Sequence, residues 1–76
     1  MSIDVYEEKR KFVERYFQKS LKAANPSIET VVYTKPIRPG AMEIVTITYR
    51  ITGDCININV TYDSLNALMR DVLQRL

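Results

Sequence analysis

Apolar and polar residues alternate along the stretch from Met42 to Tyr62, and this alternation predicts two antiparallel strands joined at Thr52-Gly53-Asp54. Successive side chains of a strand point to opposite faces of a sheet, so one face of the pair is apolar and the other is polar. The predicted inward set is Val45, Ile47, Tyr49, Ile51, Ile56, Ile58, Val60 and Tyr62. This apolar face needs a cover, which the two ends of the chain supply.

The first end of the chain predicts a helix over residues 4–24. Asp4 and Glu7 have the spacing of a capping box, and Pro26 disfavours helical geometry in the residue before it. Apolar and small residues recur at steps of three and four, so they form one stripe that faces the sheet. The stripe consists of Val5, Phe12, Val13, Tyr16, Phe17, Ser20, Leu21 and Ala24.

A first strand is predicted over residues 28–35, with two solutions for its facing. Either Val31 and Tyr33 point inward, or Ile28 and Val32 do. We favour the first solution, because it continues the threonine-rich polar face of the other two strands. The two prolines that follow fix the backbone of a loop that cannot continue the strand.

A second helix is predicted after the third strand, with Asp63 or Ser64 as its N-cap. Its apolar stripe is Leu65, Leu68, Met69, Val72, Leu73 and Leu76. The order is therefore α-β-β-β-α, a two-layer α+β fold in which both helices cover one face of a three-stranded antiparallel meander. The length of 76 residues fits a single domain, over residues 1–76.

Composition narrows the chemistry that the chain can perform. There is no histidine and one cysteine, Cys55, so metal sites built from these residues and Ser-His or Cys-His pairs are excluded. Only two glycines are present, too few for a phosphate-binding loop. Each carboxylate has a structural assignment at a helix start or cap, a turn, a solvated helix face or, for Glu29 and Glu43, near the start of a strand. We therefore predict no catalytic residues, cofactor, metal or small-molecule ligand, no membrane span, an ordinary partly buried Cys55 thiol and a cytoplasmic location.

Basic residues form a track along one side of the first helix, at steps of four, four and three. Two more basic residues lie near the prolines of the loop after the first strand. Together these basic residues are the candidate nucleic-acid contacts. The set is Lys11, Arg15, Lys19, Lys22, Lys35 and Arg38. The alternative interpretation is a solvated helix face, because the net charge is only +2 and Glu7, Glu8 and Glu14 lie alongside.

The α-β-β-β-α layout is similar to that of double-stranded RNA-binding domains. In that family the first helix and the loop after the first strand contact minor grooves, and a lysine cluster at the start of the second helix grips phosphates. The resemblance implies contacts through Lys11, Arg15 and Arg38. The corresponding start of the second helix, residues 63–69, contains no lysine, and Asp63 would repel a phosphate.

The third strand carries no charge, proline or glycine, which are the usual protections of a strand at a sheet edge. An unprotected edge accepts another strand, and the polar face beside it can meet a partner. The alternative is that the third strand is central in the sheet, or that the second helix or a twist shields its edge. We therefore predict a non-catalytic protein-interaction or regulatory module that forms a homodimer through its sheet edge or open sheet face. The candidate interaction residues are Thr46, Thr48, Arg50, Cys55, Asn57, Asn59 and Thr61.

Overall fold

The computed structural model describes residues 5–38 and 40–76, and its architecture confirms the predicted α+β fold. A helix lies at each end of the chain, and three antiparallel strands between them form a sheet in the order β1-β2-β3. The strands are β1 Ile28–Thr34, β2 Ile44–Tyr49 and β3 Cys55–Asn59. Asp4 of the proposed capping box and Pro39 of the loop lie outside the described residues.

The N-terminal helix contains a wide turn in its middle. It is α-helical over Val5–Phe12, π-helical over Val13–Phe17 and α-helical again over Gln18–Ala24. At the end of the wide turn, the Gln18 N–H donates to the Val13 carbonyl, five residues back. The predicted single helix is thus present, but its geometry is not uniform.

The wide turn changes which side chains face the sheet. The buried residues of the N-terminal helix are spaced by four throughout: Lys9, Val13, Phe17 and Leu21. A step of four drifts around a regular α-helix of 3.6 residues per turn, and a wider turn in the middle brings these positions back into one row. The predicted stripe is therefore wrong at Val5, Tyr16, Ser20 and Ala24, which are exposed.

The strand facings follow the predicted alternation within the strands and at Val60, and they fail at two positions outside the strands. Val45, Ile47 and Ile58 are buried in the core. Ile51 and Tyr62, which the alternation places inward, are instead 86% and 83% exposed. Ile51 lies in the turn after β2, and Tyr62 lies past the end of β3 with a φ of +64°, so neither follows the two-residue period of a strand.

The facing of β1 combines both predicted solutions. Val31 and Tyr33 point inward as favoured, yet Ile28 is also fully buried, while Val32 is exposed on the other face. The register with β2 shifts between Ile28 and Thr30, and this irregularity inserts one residue into the alternation. Apolar side chains on both sides of the irregularity consequently reach the same face.

The C-terminal helix spans Leu65–Arg75, and Ser64 is its N-cap, with its hydroxyl accepting a hydrogen bond from the Ala67 N–H. Leu68 and Val72 are fully buried, whereas Leu73 is exposed. The apolar stripe is therefore narrower than predicted. Leu65 and Leu76 are also exposed.

One hydrophobic cluster joins the two helices to a single face of the sheet. The sheet contributes the largest share, and each helix adds a short row of side chains. Its buried members are Val13, Phe17, Leu21, Ile28, Val31, Tyr33, Val45, Ile47, Ile58, Val60, Leu68 and Val72. In the described part of the chain, no helix is long and apolar enough to cross a membrane.

Candidate functional site

Within residues 5–38 and 40–76, the outward peptide groups of β3 have no main-chain partner at the edge of the sheet. The Tyr49 N–H donates to the Asp54 carbonyl, and the Val60 N–H donates to the Glu43 carbonyl, each at 2.9 Å. Between these two bonds the register is unbroken, so the even-numbered residues of β3 bond to β2. The peptide groups of Cys55, Asn57 and Asn59 therefore point away from β2, toward the open side.

The opposite edge of the sheet is bonded to the N-terminal helix at Val31. By the same alternation, the peptide groups of Val31 and Tyr33 on β1 point away from β2. The Val31 N–H is satisfied by the side chain of Gln18, whose Oε1 accepts at 2.8 Å. Gln18 follows the wide turn of the N-terminal helix, so that turn supplies both the buried row and the cover of β1. Of the two edges, β3 is the open one.

The polar face carries most of the predicted interaction residues beside this edge. Thr46 donates its hydroxyl to the Asn57 Oδ1 across the strands at 2.8 Å. Thr48 and Cys55 are also cross-strand partners, with Oγ1 and Sγ 3.5 Å apart. Cys55 is exposed, so the expectation of a partly buried thiol is wrong.

Two other predicted interaction residues lie beyond the ends of the strands. Arg50 is exposed in the turn after β2, and its N–H donates to the Ser27 carbonyl at 2.8 Å. Thr61 is half-buried just past β3, where its hydroxyl donates to the Asn59 Oδ1. The candidate face is thus the surface from Cys55 to Asn59 with Thr46 and Thr48, and Arg50 and Thr61 flank it.

The structure leaves most of the basic track in solvent. Lys11, Arg15 and Lys19 are exposed, and so are Lys35 and Arg38 in the loop, while Lys22 is half-buried. Acidic residues interrupt the positive surface. Arg10 forms ion pairs with both Glu7 and Glu14. The hydrogen bond and the charge of Arg10, followed by the charges of Lys11 and Lys35, lower the pKa of Glu7.

A buried ion pair, absent from the sequence-based predictions, lies between the N-terminal helix and the sheet. The Lys9 ammonium is 2.7 Å from the Glu43 Oε1, and the two residues are only 5% and 2% exposed. The Tyr33 hydroxyl donates to the same oxygen at 2.6 Å. The only sequence signal for this pair is the step of four from Lys9 to Val13, which places a charged side chain in the buried row.

Glu43 also fixes the chain where it leaves β3. Its Oε2 accepts the Tyr62 N–H at 2.8 Å, and its own N–H donates to the Thr61 hydroxyl at 3.0 Å. Burial raises the pKa of the Glu43 carboxyl. The hydrogen bonds from Lys9, Tyr33 and Tyr62 together lower it by more than burial raises it, so the net shift of the pKa is downward. The carboxylate is therefore charged at neutral pH and holds four segments of the chain together.

The surroundings of Asp63, in contrast to those of Glu43, disfavour the charged form of the carboxyl. Its Oδ2 is buried with no hydrogen-bond partner among the described residues. Burial, and then the neighbouring carboxylate of Asp71, raise the pKa of Asp63 from 3.8 to about 6. The charged form of Asp63 is thus a cost to the fold at neutral pH.

We expect Asp63→Asn to stabilise the protein at pH 7.5 by about 1 kcal/mol, a value reduced for partial solvent screening. The folded state binds a proton on Asp63 more tightly than the unfolded state, so stability falls as pH rises from 3.8 to about 6. Urea unfolding of wild type and variant at pH 5 and pH 7.5 measures the difference. Asp54→Asn, in an exposed turn, is the control, and an equal gain from it would contradict the assignment to Asp63.

A groove of about 580 Å³ opens above the ion pair, with Val5, Tyr6, Tyr62 and Leu65 on its walls. The Lys9 ammonium and the Glu43 carboxylate also line this groove, but they are bonded to each other, so we assign them a structural role. Within residues 5–38 and 40–76, no group of three or more histidine, cysteine or acidic side chains is placed to hold a metal ion.

Comparison of the chain with protein-family models, curated proteins and solved structures finds no match. Its function is therefore inferred from the geometry of the sheet and the helices.

Proposed function

We propose that the protein is a non-catalytic interaction module that forms a homodimer by pairing the β3 strands of two copies. The observation that carries this proposal is the contrast between the two sheet edges. The outward N–H of Val31 on β1 is bonded to Gln18, whereas Cys55, Asn57 and Asn59 on β3 direct their peptide groups into solvent. An antiparallel partner strand satisfies these groups with main-chain hydrogen bonds.

The composition of β3 favours a second copy of this chain as the partner. The strand is uncharged, so two copies approach each other without repulsion between like charges. The outward peptide groups of Cys55, Asn57 and Asn59 are evenly spaced about Asn57, so an antiparallel second copy can pair all three. We further propose a cytoplasmic location, since reducing conditions there keep the exposed Cys55 thiol free.

Asn57→Pro is expected to convert the dimer to a monomer while the fold is retained. Proline removes the outward N–H at the centre of the edge, and that N–H takes no part in the pairing of β2 with β3. Light-scattering molar mass on a sizing column then changes from twice 8.8 kDa to 8.8 kDa. Circular dichroism of the same sample checks that the fold is intact.

Thr46→Lys is the matched control, because Thr46 is the cross-strand partner of Asn57 on the same open face but belongs to the central strand. If the edge is the interface, Thr46→Lys remains dimeric. A dimer that is lost in Thr46→Lys and kept in Asn57→Pro would instead place the contact on the open face.

The nucleic-acid alternative is tested on the same column with a short RNA duplex at near-physiological salt. The exposed Lys11, Arg15 and Lys19 favour it, whereas the acidic neighbours on the helix and Asp63 at the start of the C-terminal helix oppose it. A wild-type monomer whose mass shifts with the duplex, with an affinity that falls steeply with salt, would overturn the homodimer proposal.

A further inference from the structure

Two large apolar side chains flank the open edge of β3 without packing into the core. Ile51 precedes the strand and Tyr62 follows it, and they are 86% and 83% exposed. Exposed aliphatic and aromatic side chains beside an open edge supply apolar area that a partner strand can bury together with the edge. The core of the single chain does not account for their positions.

The peptide groups of β3 allow one register that pairs all of them. With a two-fold axis beside Asn57, the two Asn57 residues pair, and Cys55 of each copy pairs with Asn59 of the other, giving about six main-chain hydrogen bonds. Moving the axis along the strand by one or two positions leaves outward groups at one end unpaired. The Thr61 N–H beyond the strand already bonds to the Asn59 Oδ1.

This register has a consequence for the flanking residues. In an antiparallel pair, the end of one strand lies beside the start of the other. Ile51 lies four residues before Cys55, and Tyr62 lies three residues after Asn59. A two-fold axis beside Asn57 therefore brings Ile51 of one copy to the same end of the paired strands as Tyr62 of the other, at both ends.

We propose that, in the homodimer proposed above and dependent on it, the two-fold axis passes beside Asn57 and Ile51 of each copy packs against Tyr62 of the other. A strand of five residues buries little surface by itself, whereas a stable interface buries about 800 Å² on each partner. The two aromatic–aliphatic contacts add buried apolar area at each end of the paired strands.

The backbone at Tyr62 prepares this contact in the free chain. Its φ of +64° is in the left-handed region, which is unfavourable for a residue with a bulky side chain. The Glu43 Oε2 holds this conformation by accepting the Tyr62 N–H. A backbone already held in this conformation loses less freedom when a partner covers the Tyr62 ring.

The register is tested by exchanging the apolar contact for an ion pair. Ile51→Glu and Tyr62→Lys, each alone, are expected to raise the dimer Kd at least about 10-fold, because a single substitution alters both symmetric contacts. The double variant Ile51→Glu with Tyr62→Lys is expected to recover at least about 10-fold of that loss. In the double variant, each glutamate faces the lysine of the other copy.

Recovery in the double variant cannot arise within one chain. The strand β3 spans roughly 13 Å from Cys55 to Asn59, and positions 51 and 62 lie beyond its two ends. Ile37→Glu is the control for loss of an exposed isoleucine, because Ile37 lies in the loop that joins the other two strands and is 88% exposed. It is expected to leave the dimer Kd unchanged.

The outcomes separate the register from the dimer itself. Sedimentation equilibrium that finds a wild-type monomer, or a dimer unaffected by Asn57→Pro, overturns both the edge proposal and the register. A dimer that Asn57→Pro disrupts, but whose Kd is unchanged by Ile51→Glu and Tyr62→Lys, overturns the register alone. Single losses without recovery in the double variant also overturn it, and losses with recovery support it.

Discussion

Replacing Lys9 with methionine is expected to destabilise the protein by about 3–5 kcal/mol, the usual cost of removing one partner from a buried ion pair. Methionine fills a similar volume but leaves the Glu43 carboxylate buried without its cation. A domain of this size has a total stability of only about 3–5 kcal/mol, so the variant should be largely unfolded at neutral pH. Urea unfolding followed by circular dichroism, at one fixed protein concentration, measures the change.

The pH dependence identifies the cause of this loss. In the wild type the pKa of Glu43 is lowered from 4.5, so its contribution to stability is present above pH 4.5 and is lost as pH falls through the lower folded-state pKa. Without Lys9, only the hydrogen bonds from Tyr33 and Tyr62 oppose the effect of burial, and we expect the pKa of Glu43 to rise above its unfolded value, so that the folded state takes up a proton. Lys9→Met should therefore gain stability between pH 7 and pH 5, which the wild type should not gain from Glu43.

Two further variants separate the ion pair from general effects of the substitution. Lys11→Met removes an exposed lysine two positions away on the same helix and should cost within about 0.5 kcal/mol. Lys9→Met combined with Glu43→Gln removes both charges, and the amide oxygen can still accept from the Tyr62 N–H while the amide NH2 donates to the Tyr33 hydroxyl. The double variant should therefore be more stable than Lys9→Met. Equal stabilities would contradict the charge-based explanation.

The sheet could be predicted because its signal is local. Alternation along Ile44–Tyr49 and Cys55–Asn59 directly reports which side chains share a face, and the meander order places the third strand at an edge. The alternation gave wrong facings at Ile51 and Tyr62 because the backbone leaves the strand conformation there. A hydrogen bond to Glu43, 19 residues away, holds the turn at Tyr62, and the sequence around Tyr62 gives no sign of it.

The ion pair could not be predicted because its partners lie far apart in the sequence. Lys9 belongs to a run of charged residues that is typical of a solvated helix, and Glu43, 34 positions later, precedes an apparently ordinary strand. Tertiary packing brings them together beside Tyr33. The edge contrast has a similar origin, since the cover of β1 depends on Gln18 reaching Val31 across 13 positions. The polar and apolar faces of the strands could therefore be predicted from the sequence, whereas the contacts between the N-terminal helix and the sheet could not.

Phe17→Ala is expected to cost about 3–5 kcal/mol, whereas Tyr16→Ala should cost within about 1 kcal/mol. The two aromatic residues are adjacent, and the sequence pattern assigns both to the buried stripe. The wide turn over Val13–Phe17 separates them: Phe17 is buried in the core, and Tyr16 is 65% exposed. Loss of the Phe17 ring leaves a cavity between the helix and the sheet, while loss of the Tyr16 ring leaves the core intact.

Urea unfolding of the two variants at the same protein concentration measures this difference. A regular α-helix would bury positions 16 and 17 on one stripe, and the two substitutions would then have similar costs. Similar costs would therefore contradict the wide turn and, with it, the placement of Gln18 beside Val31 that covers the β1 edge. A large cost for Phe17→Ala alone supports the row that Lys9 shares with Val13, Phe17 and Leu21, and hence the burial of the lysine itself.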